Sequence, residues 1–82
     1  MTHYKIIGTA NCPYCLRAKA FLNRMEIPYS YIDITDDHEQ RNKLKEAGFR
    51  TVPQIWYADG SKHIGGFDDL IMHIGGERNG ET

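Results

Sequence analysis

The sequence feature that most constrains the fold is a pair of cysteines, Cys12 and Cys15, placed between an apolar strand and an amphipathic helix. Residues 4–8 have the length and the β-branched content of a strand. Pro13 suits the first position of a helix, and apolar residues between 16 and 25 recur at helical spacing. Two cysteines three residues apart close a loop too short to stabilise a small domain much. The pair therefore indicates redox or metal chemistry.

The patterns after the first helix continue as alternating strands and helices. Strands are predicted at 29–34, 52–57 and 62–65, and helices from Asp36 to about Ala47 and from Asp68 or Asp69 onward. The element order is β-α-β-α-β-β-α. A helical crossover makes the first two strands parallel, and the Asp59-Gly60 turn makes the last two a hairpin. We therefore predict an α/β fold of the thioredoxin-like type, with a four-stranded mixed sheet and three helices.

The length of 82 residues leaves room for one domain. Apolar residues make up 40% of the chain, which is enough for one modest core and argues against a disordered chain. We predict a single domain over 1–76. Residues 77–82 contain no apolar side chain and are predicted to form a frayed tail.

Charge and hydropathy exclude several classes of protein. Ten Lys and Arg residues against 11 Asp and Glu residues leave no basic excess of the kind that nucleic-acid binders show. No apolar run approaches the roughly 20 residues that a membrane helix needs. The N-terminal residues show no secretory signal pattern. We therefore expect a cytoplasmic protein that binds neither nucleic acid nor membranes, with a monomer as the default state.

The position of the cysteines predicts a division of labour. Cys12 lies at a helix N-terminus, where unpaired N–H groups and the helix dipole stabilise a thiolate and lower the thiol pKa. Cys15 lies one turn further along, within reach of a disulfide. We expect Cys12 to be the exposed attacking sulfur and Cys15 the more buried resolving sulfur. A zinc site would need four ligands, and the four histidines occur singly without ligand spacing.

Three motifs together resemble the dithiol glutaredoxin family. They are Cys12-Pro13-Tyr14-Cys15, Thr51-Val52-Pro53-Gln54-Ile55 and Gly65-Gly66-Phe67-Asp68-Asp69-Leu70. Their order and spacing are similar to the family's, and the resemblance covers residues 4–74. It implies reduction of protein disulfides and of glutathione mixed disulfides through a reversible Cys12–Cys15 disulfide. It also implies glutathione as the electron donor, no permanently bound cofactor, and ribonucleotide reductase as a candidate partner.

The same resemblance implies a glutathione site. Val52, before a cis Pro53, would pair its backbone with the cysteinyl part of glutathione, as an added strand does. Asp68 and Asp69 would meet the ammonium of the γ-glutamyl end. The implied contacts are Thr9, Pro13, Tyr14, Gln40, Arg50, Thr51, Val52, Pro53, Gly66, Phe67, Asp68 and Asp69. Thr9 is a departure, since the family usually has Lys or Arg there to contact the glycine carboxylate. Gln40 and Arg50 match family positions for that carboxylate, with Arg41 and Arg17 as further candidates.

Two other functions remain open from the sequence. A thioredoxin-like reductase, itself reduced by a flavoprotein, would also use a CxxC pair, but the third motif favours a glutathione site. An iron–sulfur protein would hold a cluster on Cys12 of two subunits with two glutathiones. Pro13 argues against the cluster, because cluster-binding relatives usually carry a more open motif.

Overall fold

The structure is a computed structural model that describes residues 3–79, with side chains described up to residue 75. Its elements follow the predicted order. They are β1 (Tyr4–Gly8), α1 (Pro13–Arg24), β2 (Tyr29–Asp33), α2 (His38–Glu46), β3 (Gln54–Tyr57), β4 (His63–Gly65) and α3 (Phe67–Asn79).

The four strands form one mixed sheet in the spatial order β2-β1-β3-β4. β1 pairs in parallel with β2 and antiparallel with β3, and β3 pairs antiparallel with β4. The register of β3 against β4 shifts between Ile55 and Trp56. The thioredoxin-like fold predicted from the sequence is confirmed. Because β1 is an inner strand of the sheet, the loop after β1, which carries Cys12, emerges between β2 and β3 at the end of the sheet.

The core lies between the sheet and the two helices α1 and α3. Ile6, Leu22, Ile55 and Leu70 are fully buried there. Ala18 is also buried, whereas Leu16 is 55% exposed. Leu16 belongs to the predicted apolar pattern of α1, but the buried face is the one that carries Cys15, Ala18 and Leu22. Residues at i, i+3 and i+7 share one helical face, and Leu16 lies outside it.

Several element boundaries differ from the prediction by one or two residues, among them the end of β2 at Asp33 and the start of β4 at His63. Asp37, not Asp36, caps α2, because its carboxylate accepts the Gln40 backbone N–H at 3.0 Å. β3 begins at Gln54 instead of 52. α3 begins at Phe67, one residue early, and continues through the two glycines at 75 and 76. The predicted end of α2 is accurate, since Gly48 follows it with φ +93°, a conformation that favours glycine.

The two ends of the chain lie partly outside the residues that the structure describes. The frayed tail at 77–82 stays a prediction: α3 extends to Asn79, and residues 80–82 lie outside the described part of the chain. Over residues 3–79, no helix combines the length and the apolar character that crossing a membrane requires.

Candidate active site

The two cysteines are joined in a disulfide at the start of α1. Their Cα atoms are 5.1 Å apart, a normal separation for such a bond. Cys12 is the N-cap of α1, and its Sγ accepts the backbone N–H of Cys15 at 3.0 Å. Pro13 takes the first helical position, where its missing N–H costs no hydrogen bond. In the reduced protein we expect the same N–H and the helix dipole to stabilise a thiolate on Cys12.

The burial of the two sulfurs corrects one expectation. Cys15 is fully buried, as predicted for the resolving cysteine, but Cys12 is also 93% covered, with an exposed fraction of 7%. Cys12 Sγ lies 3.6 Å from the carbonyl oxygen of Val52, so the loop before β3 covers it from one side and Cys15 from the other. Cys12 is still the more exposed of the two residues, and its role as the attacking cysteine stays a prediction.

The N-cap position of Cys12 makes its acidity testable. In reduced protein, Cys12 is expected to titrate below the value of about 8.5 that a free thiol has, because the Cys15 N–H and the helix N-terminus favour the charged form. The rate of iodoacetamide alkylation against pH measures this directly, in a Cys15→Ser variant that leaves one reactive thiol. A midpoint equal to that of glutathione in the same buffer would contradict thiolate stabilisation.

Two clefts meet beside the disulfide, at Thr51 and Val52. The first, the acidic arm, has a volume of about 300 Å³. It is lined by Tyr14, Thr51, Val52, Pro53, Gly66, Phe67, Asp68 and Asp69. The second, the basic arm, has a volume of about 120 Å³. It is lined by Thr9, Ile34, Arg41, Leu44, Lys45, Phe49, Arg50, Thr51 and Val52. The site is therefore a groove with carboxylates at one end and cations at the other.

The acidic arm is built by the turn between β4 and α3. Gly65 has φ +122°, and Asp69 Oδ2 accepts the Gly66 backbone N–H at 2.9 Å. Asp69 thus caps the start of α3 from its third position, and Asp68 lies exposed in the same turn. The Tyr14 ring lies 6.2 Å from the Phe67 ring and forms the side of this arm nearest the disulfide.

The basic arm contains two cations that were not among the main sequence predictions. Arg41 is one of the further candidates from the sequence, whereas Lys45 is not among them. They are four residues apart on α2, so they share one face with Leu44. That i, i+4 spacing was the signal available in the sequence. Gln40, by contrast, lies on the exposed surface of α2 and does not line either arm.

Hydrogen bonds through Thr35 fix the position of Arg41 relative to the loop before Cys12. The Arg41 guanidinium donates to the Thr35 carbonyl oxygen at 3.1 Å. The Thr35 hydroxyl oxygen accepts the backbone N–H of Ala10 at 2.7 Å. Thr9, where the family usually has a cation, therefore adjoins a loop that is tied to the segment holding Arg41. Arg41 of α2 therefore supplies a positive charge at the end of the groove where the side chain of Thr9 is uncharged.

Tyr31 of β2 supports the same loop from behind. Its hydroxyl donates to the Thr9 carbonyl oxygen at 2.9 Å. Burial, and secondarily the charge of Asp33, raises the pKa of Tyr31, so the hydroxyl keeps its proton at neutral pH. Hydrogen bonds from the Thr35 hydroxyl and backbone N–H lower the pKa of Asp33, which therefore remains a carboxylate.

The cis peptide bond that the family resemblance implied is present between Val52 and Pro53.

Among residues 3–79, no three His, Cys, Asp or Glu side chains form a group that could hold a metal ion.

Comparisons with known proteins agree with this geometry. The sequence pattern of the family described as Glutaredoxin matches residues 4–64. The glutaredoxin of Pseudomonas aeruginosa is 47% identical over 66 residues, which cover 79% of this chain and 76% of that protein. The structure of glutaredoxin 1 from Francisella tularensis, complexed with cacodylate, is similar with a TM-score of 0.74 and 30% identity, covering 93% of this chain and 95% of that one.

A third relative was solved with a ligand. The structure of a buckwheat glutaredoxin–glutathione complex is similar with a TM-score of 0.69 and 30% identity, covering 89% of this chain and 69% of that one. The family match spans more than half of the chain and includes the strand, the cysteine pair and the segment before β3. With a disulfide between two cysteines at a helix N-terminus, this chain belongs to the glutaredoxin family of thiol–disulfide oxidoreductases.

Proposed function

We propose that this protein reduces protein disulfides and glutathione mixed disulfides, with glutathione as the electron donor and no permanently bound cofactor. The observation that carries the proposal is the charge arrangement of the groove. Glutathione has an ammonium at its γ-glutamyl end, a carboxylate at its glycine end and a sulfur between them. The groove has Asp68 and Asp69 at one end, Arg41, Lys45 and Arg50 at the other, and Cys12 near the middle. The buckwheat relative with bound glutathione supports this assignment.

In this proposal each part of glutathione has its own contacts. The acidic arm takes the γ-glutamyl ammonium, while the first N–H groups of α3 are directed at its carboxylate. Val52 offers its backbone N–H and C=O to the cysteinyl part, as an added strand would. The basic arm takes the glycine carboxylate. Together these contacts place the glutathione sulfur next to Cys12.

The first chemical step transfers glutathione to the enzyme. The Cys12 thiolate attacks the glutathione sulfur of a mixed disulfide, and a new S–S bond forms while the bond to the substrate protein breaks. The substrate sulfur leaves as a thiolate and takes a proton from water. Attack on the glutathione sulfur follows from the groove, because the groove would hold that sulfur in line with Cys12.

Two routes then regenerate the thiolate. A second glutathione thiolate can attack the bound glutathione sulfur, which releases glutathione disulfide and Cys12. Alternatively Cys15, whose Cα lies 5.1 Å from that of Cys12, attacks Cys12 Sγ and releases reduced glutathione. The resulting Cys12–Cys15 disulfide is reduced by two glutathiones. With a protein disulfide, the Cys12 thiolate attacks one of the two substrate sulfurs and forms a mixed disulfide with the protein, while the other substrate sulfur leaves as a thiolate. Cys15 then attacks Cys12 Sγ and releases the second substrate sulfur, so both electrons come from the cysteine pair.

A coupled assay tests the proposed function. Protein, a small glutathione mixed disulfide, glutathione, glutathione reductase and NADPH are mixed, and NADPH oxidation is followed. Turnover that requires this protein is expected. Turnover with thioredoxin reductase in place of glutathione and its reductase, and none with glutathione, would instead support the thioredoxin-like alternative.

The basic arm gives a prediction with a matched control. Lys45→Ala is expected to raise KM for the mixed disulfide about 3- to 10-fold, because one charge-assisted contact to the glycine carboxylate is lost. Lys43→Ala removes the same charge from the same helix, but Lys43 is 62% exposed and pairs with Glu39 instead of lining the groove. Its KM is expected to stay within twofold of wild type. Equal effects of the two substitutions would contradict the placement of the glycine end.

The departure at Thr9 allows a rescue experiment. Arg41→Ala is expected to raise KM, and Thr9→Lys in the same chain should recover much of that loss, because the new ammonium reaches the same end of the groove. In wild type, Thr9→Lys should improve KM by no more than about threefold, because an additional exposed ion pair is worth little. Both effects should shrink as salt rises. Additive effects of the two substitutions would contradict a shared carboxylate.

The biological setting completes the proposal. A thiol–disulfide reductase that uses glutathione as its electron donor functions in a reducing compartment, and we propose the cytoplasm as the location of this protein. We further propose that it acts as a monomer with residues 1–76 as its single domain. Its substrates would be disulfide-containing proteins, with ribonucleotide reductase as one candidate.

A further inference from the structure

One buried polar side chain lies next to the groove without being part of it. Among the residues whose side chains are described, Gln54 is the buried polar one, with 6% of its surface exposed. Its amide nitrogen donates to the Thr51 carbonyl oxygen at 2.9 Å and lies 3.4 Å from the Thr51 hydroxyl oxygen. Its amide oxygen lies 2.7 Å from Nε2 of His63. Both ends of the buried amide are therefore in use.

These contacts define where the proton on His63 lies. A carbonyl oxygen can only accept, so the nitrogen end of the Gln54 amide must face Thr51. The oxygen end then faces His63, and Nε2 of His63 must carry hydrogen to donate to it. A continuous chain of hydrogen bonds thus runs from His63 on β4, through Gln54 on β3, to Thr51.

The His63 ring packs against two aromatic rings, although the residue as a whole is exposed. Its centroid lies 4.6 Å from that of Phe49 and 4.8 Å from that of Trp56. Phe49 also lines the basic arm. These contacts and the hydrogen bond to Gln54 favour one orientation of the imidazole.

Thr51 is the residue at which this series of hydrogen bonds reaches the groove. Residues 51–53 precede β3, so no ladder of strand hydrogen bonds holds them. Thr51 and Val52 nevertheless line both arms, and the Val52 carbonyl oxygen lies 3.6 Å from Cys12 Sγ. In place of a neighbouring strand, the side-chain amide of Gln54 forms hydrogen bonds to Thr51 in this segment.

We propose that Gln54 and His63 are positioning residues, which hold Thr51 and Val52 in the conformation that binds the glutathione part of the substrate. This inference rests on the proposed function. Neither side chain touches the reacting sulfurs, so both act through the backbone they fix. Losing either one should weaken substrate binding and leave the chemistry at bound Cys12 nearly unchanged.

The test uses variants that keep the size of the side chain and remove its hydrogen bonds: those to Thr51 and His63 for Gln54, and the one to Gln54 for His63. Gln54→Leu keeps the volume of the buried side chain, and His63→Phe keeps the packing against Phe49 and Trp56. Each is expected to raise KM for the glutathione mixed disulfide about 3- to 10-fold, with kcat within about twofold. The double variant should be no worse than the more damaged single variant, because both break one chain. His63→Gln can again place an N–H near Gln54 and should restore KM.

A control removes a similar bond elsewhere in the sheet. The Tyr57 hydroxyl lies 3.1 Å from Nε2 of His73, so Tyr57→Phe also removes a bond to an imidazole. Its KM is expected to match wild type. Backbone ¹⁵N order parameters for Thr51 and Val52 should fall in Gln54→Leu and His63→Phe, recover in His63→Gln, and stay unchanged in Tyr57→Phe.

The outcomes separate this inference from the proposed function. Wild-type protein that shows no glutathione-dependent turnover would overturn the proposed function. Normal wild-type turnover, with KM and order parameters unchanged in both Gln54→Leu and His63→Phe, would overturn the positioning role alone. A fall in kcat equal to the rise in KM would also overturn it, because that pattern indicates damage to the cysteine pair itself.

Discussion

Cys12→Ser is expected to abolish both activities of the enzyme, with losses on the order of 10³-fold or more, because a hydroxyl cannot replace the thiolate nucleophile. Cys15→Ser should keep the reduction of glutathione mixed disulfides, since external glutathione resolves the intermediate. It should lose most reduction of protein disulfides, which needs the second sulfur. The coupled NADPH assay measures the first activity, and insulin disulfide reduction with glutathione measures the second.

The buried position of Cys15 calls for a second variant in the same experiment. Cys15 is fully buried, so the serine hydroxyl could lack a hydrogen-bond partner and destabilise the fold. Cys15→Ala avoids that problem and should show the same split between activities. If both Cys15 variants lost the two activities equally, with thermal unfolding temperatures near wild type, the assigned roles of the two sulfurs would be wrong.

Gly8→Ala is expected to destabilise the fold by about 2–3 kcal/mol, because overfilling a packed site costs roughly 1–3 kcal/mol and a hydrogen bond is also at risk. A Cβ at this position would lie 2.6 Å from Cys15 Sγ and 3.1 Å from Cζ of Tyr31. The neighbours cannot move freely, since Cys15 is in the disulfide and Tyr31 donates to Thr9. The unfolding temperature should fall by roughly 10–20 °C.

Gly75→Ala provides the matched control for this substitution. Gly75 lies in α3, and a Cβ there would meet no atom within 4 Å. Alanine is the better helix former, so a gain of about 0.5–1 kcal/mol is expected. Thermal denaturation followed by circular dichroism compares the two. An unfolding temperature for Gly8→Ala as high as wild type would show that Cys15 and Tyr31 do not pack against β1 as the structure describes.

The fold and the cysteine chemistry were accessible from the sequence because they depend on residues close together in the chain. Strand-like runs, a proline at the first helical position and the spacing of Cys12 and Cys15 involve separations of a few residues. The element order then left few topologies, since a helical crossover between parallel strands and a short hairpin restrict the sheet. The boundary errors are small for the same reason, because the alternatives are neighbouring residues, such as Asp36 in place of Asp37 as the cap of α2.

The two-ended groove was decided by the tertiary structure. Parallel pairing of β1 with β2 brings the loop at Thr9 beside the start of α2, so that Arg41 and Lys45 face the same cleft as Arg50. The contact of Cys12 Sγ with the Val52 carbonyl oxygen likewise joins segments 40 residues apart. The hydrogen bond between His63 and Gln54 spans nine residues and depends on the pairing of β3 with β4. Periodicity reports which face of an element is apolar. It carries no information about which other element the polar side chains will meet, because that depends on how the sheet brings distant segments together.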